Sequence, residues 1–106
     1  MTHPSKRKGN SFERELVNGA VARGLRGKRA YASDGQSLGL GKEVDCLIAG
    51  WPVQAKRRKA IAKYLKIPGG CKAVAFRENR GETYVLMTYD SFLDLLKGQR
   101  NGEKGN

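Results

Sequence analysis

Apolar residues first recur at helical spacing. Phe12, Leu16, Val17, Ala20 and Val21 form one stripe and predict an amphipathic helix. Ser11 is placed to cap it, Glu13 and Glu15 fall in the positive first turn, and Gly24 stops it after about Arg23. Residues 28–32 are a short strand candidate. Residues 33–42 are rich in Gly and Ser, lack a period, and read as a mobile loop carrying Ser33, Asp34 and Ser37. From residue 43 to 49 the pattern alternates, Val44, Cys46 and Ile48 against Glu43, Asp45 and Leu47, which predicts a strand. Gly50 and Pro52 mark a tight turn into a second strand over residues 52–56.

The second half continues in the same manner. Residues 57–66 predict a basic helix with Ile61, Tyr64 and Leu65 inward, broken by Pro68-Gly69-Gly70. Residues 71–77 and 83–88 read as strands joined by a turn at 78–82, and Asp90 caps a final helix holding Phe92, Leu93, Leu95 and Leu96. Residues 1–10 read as a flexible basic arm, 11–97 as one domain and 98–106 as a disordered tail. The order α-β-β-β-α-β-β-α is an α/β fold, a central mixed β-sheet flanked by helices.

Length and charge narrow the partners. A chain of 106 residues supports a single small core, to which subunit pairing would add buried apolar area. Lys and Arg number 21 against 10 acidic residues, a net charge of +11 with pI near 10.1. Such a surface attracts polyanions, nucleic acid foremost. No apolar run suggests a membrane span, and the polar, basic N-terminus does not read as a secretory leader, so a cytoplasmic protein is expected. Cys46 and Cys71 lie in apolar contexts without metal-ligand spacing and, with the lone His3, cannot build a zinc site. They read as core thiols. Tyr31 and Tyr64 read as core-edge residues, and Trp51, at the hairpin tip, as a core or dimer contact.

Chemistry concentrates in Glu43-Val44-Asp45 and Gln54-Ala55-Lys56. A two-residue loop at Ala49-Gly50 sets Asp45 opposite Gln54 and Glu43 opposite Lys56. Because strand side chains alternate with period two, all four then project from one face, an arrangement that a bulge would spoil. Magnesium takes hard oxygen ligands and keeps several waters. Asp45 supplies a carboxylate, Gln54 an amide oxygen, and Glu13 a further carboxylate from the preceding helix. A metal so held polarises a phosphodiester and activates water, and Lys56 is suited to orient that water or stabilise the phosphorane charge. The run Lys56-Arg57-Arg58-Lys59 puts cations at a helix start, against the helix dipole, which favours phosphate binding as its role.

These residues resemble the PD-(D/E)XK nuclease superfamily, and within it the archaeal- and phage-type Holliday junction resolvases. Lys8-Gly9-Asn10-Ser11-Phe12-Glu13-Arg14-Glu15 is similar to that family's first-helix motif, Asp45 to its motif aspartate, and Gln54 and Lys56 to its (D/E)XK segment. Val44 stands where the family has proline, and Gln54 where it usually has an acid. The resemblance implies a restriction-endonuclease-like core and a phage- or prokaryote-encoded, Mg2+-dependent endodeoxyribonuclease in which Mn2+ substitutes. The metal ligands are Glu13, Asp45 and Gln54, Lys56 is catalytic, and Ser33 in the Ser33-Asp34-Gly35 loop touches the scissile phosphate. The expected partner is branched double-stranded DNA, cut by a homodimer without a small-molecule cofactor. Lys6, Arg7, Lys8, Arg57, Arg58 and Lys59 would hold phosphates, which position a substrate without reading its sequence. Action on flaps, ends or mismatches, or a catalytically silent nucleic-acid-binding protein of the same fold, are the alternatives.

Overall fold

The computed structural model describes residues 4–30 and 40–105, with side chains over 11–30 and 40–98. The chain divides into two compact units, Met1–Arg57 and Arg58–Asn106.

In the first unit, helix α1 spans Pro4–Ala22. It therefore starts well before Ser11, and the expected basic arm is helical from Pro4 onward. Proline suits a first helical position, where its missing N–H has no intrahelical role. Glu13 accordingly lies in the body of the helix, not its first turn. The helix ends as its glycine requires. Leu25 N–H donates to the Ala20 carbonyl at 2.9 Å and Gly24 N–H to the Val21 carbonyl at 2.9 Å, the two bonds of a Schellman cap. Gly24 sits at φ +80°, and Leu25 and Ala20 are both buried there.

Three short strands follow: β1 (Gly27–Arg29), β2 (Cys46–Ile48) and β3 (Trp51–Val53), an antiparallel sheet in the order β1-β2-β3. Each is shorter than its pattern predicts. Gly27 pairs with Ile48 and Arg29 with Cys46; Cys46 pairs with Val53 and Ile48 with Trp51. The predicted two-residue loop is present, with Ala49 at φ 49° and Gly50 at φ 85°, the double positive φ of a type I′ hairpin. Pro52 is on the edge strand, where its lack of an N–H is tolerated. Helix α1 packs on β1 and β2. A Cβ on Gly27 would come within 3.0 Å of the Val17 carbonyl oxygen, so glycine permits this close approach. Leu16, Ala20, Leu25, Ala30, Cys46 and Ile48 are buried in this unit.

The second unit holds β4 (Ala73–Phe76) and β5 (Tyr84–Met87), an antiparallel pair in which Ala73 faces Met87 and Phe76 faces Tyr84, and helix α2 (Tyr89–Gly105). Two antiparallel sheets thus stand where one mixed sheet was expected. The predicted helix over residues 57–66 is reduced to a 3-10 turn at Lys63–Leu65. Cations at its start oppose the dipole, and Ala62, extended at ψ 145°, offers no side-chain cap. Ile61 and Tyr64, expected inward, are exposed, as is Cys71. Thr88, not Asp90, caps α2: its Oγ1 accepts from the Ser91 N–H at 3.2 Å and its hydroxyl donates to Ser91 Oγ at 3.0 Å. Asp90 complements the dipole within the first turn. Leu93 and Leu96 are buried, and the helix continues to Gly105 through the expected disordered tail. Among the described residues no helix is long and apolar enough to cross a membrane.

Both caps are testable. Gly24→Ala places a Cβ at positive φ and should cost about 1 kcal/mol of unfolding free energy. Thr88→Ala removes the α2 cap and should cost about 1 kcal/mol. Urea unfolding measures both, and unchanged midpoints would refute the cap assignments.

Candidate functional site

The site is built on the central strand. The Asp45 N–H donates to the Val53 carbonyl at 2.9 Å, although the ladder partner of Val53 is Cys46. Two residues thus face one, the count of a β-bulge. On the other side the Ala30 N–H donates to the Asp45 carbonyl at 2.9 Å, so the β1–β2 pairing continues past the strand's end. The bulge ends regular pairing in β3 at Val53 and displaces the expected Asp45–Gln54 facing pair. Glu43, Gln54 and Lys56 lie outside the strands and are exposed.

What replaces that pair is a tighter contact. The Ala55 N–H donates to Asp45 Oδ2 at 2.7 Å. The aspartate carboxylate is therefore fastened to the middle of Gln54-Ala55-Lys56, and Asp45 itself is half-buried. A backbone donor suits the ionised acid and fixes its orientation.

Glu13 enters from α1. It shares a helix face with Leu16 and Ala20, which are buried against the sheet, and is itself 4% exposed. A carboxylate at such depth needs compensation. Arg29 of β1 contributes it, with Nη2 at 3.4 Å from Glu13 Oε1. That separation is long for a charge-assisted hydrogen bond, and Arg29 Nε is buried without a hydrogen-bond partner.

Cys46 registers both acids. Its side chain is fully buried. Burial pushes the thiol up from 9.0 to about 11, the negative charges of Glu13 and Asp45 act in the same direction, and Arg29 opposes them. Cys46 thus lies within electrostatic reach of the helix carboxylate and of the carboxylate next to it in the chain. Magnesium needs only one or two carboxylates from protein. Among the described residues there is no group of three or more His, Cys, Asp and Glu positioned for a metal, so a third protein ligand would have to be of another kind, such as the Gln54 amide oxygen.

The residues of interest divide clearly. Glu13, Asp45 and the Gln54-Ala55-Lys56 segment belong to one unit with Arg57, which is exposed. Arg58 and Lys59, also exposed, open the second. Ser33 and Tyr31, and the side chains of Lys6, Arg7 and Lys8, lie outside the described residues. Trp51 is 52% exposed and is not a core residue. Sequence reasoning missed Arg29 and the Ala55 amide. Arg29 carried a faint signal, a cation between Lys28 and the apolar Ala30 in a strand candidate; a backbone amide carries none.

The thiol chemistry follows from burial. At pH 8 a disulfide reagent should modify exposed Cys71 quickly and Cys46 only on denaturation; two fast thiols would contradict the site. The folded Cys46 thiol keeps its proton to higher pH than the unfolded one, so its contribution to stability is complete below pH 9 and is lost as pH rises toward 11. Cys46→Ala should flatten that fall in urea titrations compared with the parent chain.

Comparison with known proteins finds no matching family model, no matching curated protein and no matching solved structure.

Proposed function

We propose that this protein is a Mg2+-dependent, structure-selective DNA endonuclease with a restriction-endonuclease-like core, resolving four-way junctions by paired nicks as a homodimer. The observation that carries the reading is the deeply buried Glu13 on the helix packed against this sheet, together with Asp45, whose carboxylate is tied to the Gln54-Ala55-Lys56 backbone. The body of a helix gives Glu13 no capping role, and a small core gains little from a carboxylate that needs Arg29 beside it. A buried acid and a half-buried one in a basic protein support a cation site that meets a polyanion.

In this reading Glu13 and Asp45 hold the metal, and Gln54 adds a neutral oxygen. When bound, Mg2+, or Mn2+ in its place, polarises the phosphodiester and lowers the pKa of a coordinated water. The Ala55 amide keeps Asp45 in one orientation. Lys56 positions the attacking water and balances charge on the phosphorane. Ser33 contacts the scissile phosphate. Lys6, Arg7, Lys8, Arg57, Arg58 and Lys59 hold flanking phosphates, contacts that weaken steeply with salt.

The test is incubation of the full chain with labelled four-way junction, matched linear duplex and flap, with and without Mg2+. Paired nicks in the junction alone are expected. Asp45→Asn should abolish cleavage and leave junction binding intact, and Lys56→Ala should slow it about a hundredfold. Preferential cutting of flaps or duplex ends would reassign the substrate. Exposed Gln54 at an acidic motif position favours one second reading, a silent binder of the same fold. In that case the parent chain binds the junction without nicking it in Mg2+ or Mn2+, and Gln54→Glu creates activity.

A further inference from the structure

The second unit carries an aromatic surface that the metal site does not use. Phe76 and Tyr84 are ladder partners at the end of the β4–β5 pair. Their rings stack with centroids 5.8 Å apart and planes at 29°. Tyr64, from the 3-10 turn, meets Phe76 edge-on, with centroids 6.2 Å apart. Phe76 is the half-buried centre of the three, while Tyr64 remains 69% and Tyr84 56% exposed. Rings gathered to make a core would bury most of their surface; these two tyrosines show more than half of theirs to solvent.

Cations accompany the rings. Lys63 and Lys66 flank Tyr64 along the chain and are exposed. Arg77 follows Phe76, and its Nη1 donates to Thr83 Oγ1 at 3.5 Å, next to Tyr84. No acidic residue lies in the sequence between Lys56 and Arg77. Glu78 and Glu82 stand in the exposed turn between Phe76 and Tyr84 and are matched there by Arg77 and Arg80, so with Lys63 and Lys66 the sequence around the rings stays net basic. Exposed aromatic faces with a net basic surround are a fitting surface for nucleotides. Bases stack on the rings, and the cations meet the phosphates.

We propose that Tyr64, Phe76 and Tyr84 form a stacking platform for unpaired bases, so that the second unit binds single-stranded DNA. The choice of DNA rests on the nuclease reading; the stacking does not depend on the metal site. Stacking needs flat, exposed π faces, which base-paired stretches of duplex DNA do not offer, so the platform favours single strands over duplex. It gives the protein a contact with opened strands separate from phosphate binding.

The experiment is fluorescence anisotropy of the full-length protein with labelled oligo(dT), oligo(rU) and duplex DNA, in EDTA so that cleavage plays no part. Tyr64→Ala and Tyr84→Ala should each weaken oligo(dT) binding about tenfold, with duplex binding and the salt dependence little changed. Tyr64→Phe, which keeps the ring, should restore affinity. Lys63→Ala with Lys66→Ala should instead reduce the salt dependence for the single strand. Unchanged oligo(dT) affinity in folded alanine variants, or equal losses on duplex, would overturn the proposal. Tighter binding of oligo(rU) would overturn DNA as the partner. Dissociation of a dimer by the tyrosine variants in sedimentation velocity, with oligo(dT) affinity retained, would make the face an interface between copies and overturn it also. Oligo(dT) binding is read in EDTA and cleavage in Mg2+, so a failure of the nuclease reading appears in the cleavage assay and a failure of the platform appears here.

Discussion

Asp45 is held at three points by three different stretches of chain. Its carbonyl accepts from Ala30, its N–H donates to Val53, and its carboxylate accepts from Ala55. The first bond extends the β1–β2 pairing, the second makes the bulge, and the third anchors the chain leaving β3. A residue disfavoured in strands therefore becomes the junction of the three-stranded sheet. Its side chain is oriented by one bond, from the Ala55 backbone N–H, and the other two bonds fix its backbone. That anchoring is what allows so short a sheet to present a carboxylate at a defined place.

Helix α1 completes the arrangement from the other direction. Gly27 lets β1 come against the helix, and the Schellman cap at Gly24 and Leu25 turns the chain from α1 into β1. Together they fix the helix face on which Glu13, Leu16 and Ala20 stand. Two of these residues are ordinary core, and the third is an acid that apolar packing alone would exclude. Arg29 offsets its charge through a long contact, and Cys46 feels both acids from its buried position. Burial strengthens each of these electrostatic terms. The same local dielectric that makes Glu13 costly would make a bound cation effective.

The second unit rests on different forces. Its β-pair has aromatic residues in register at one end, and its helix is fastened by a side-chain cap at Thr88. Cross-strand aromatic pairs stabilise a two-stranded ribbon that is marginal alone. The division of the chain falls within Lys56-Arg57-Arg58-Lys59, where successive cations disfavour the start of a helix. The basic run is thus also where regular structure gives way.

Local chemistry was legible in the sequence where one residue decides one geometry. Gly24 ended a helix, Ala49-Gly50 closed a two-residue hairpin, and the alternation of Val44, Cys46 and Ile48 announced a strand with Cys46 and Ile48 inward. Asp45 stood out as an acid in a strand pattern, where its placement conflicts with propensity, and Glu13 through the likeness of its segment to a first-helix motif. The sequence could not disclose how far each element extends, since strand length depends on bonds supplied by other segments. It could not disclose the bulge, which turned a facing pair of side chains into a side chain gripping a backbone amide. Nor did it reveal that Glu13 would be buried beside Arg29 while Tyr64 and Tyr84 would be left open. Periodicity assigns a residue to a face, but only the packing of one element on another decides whether that face is covered.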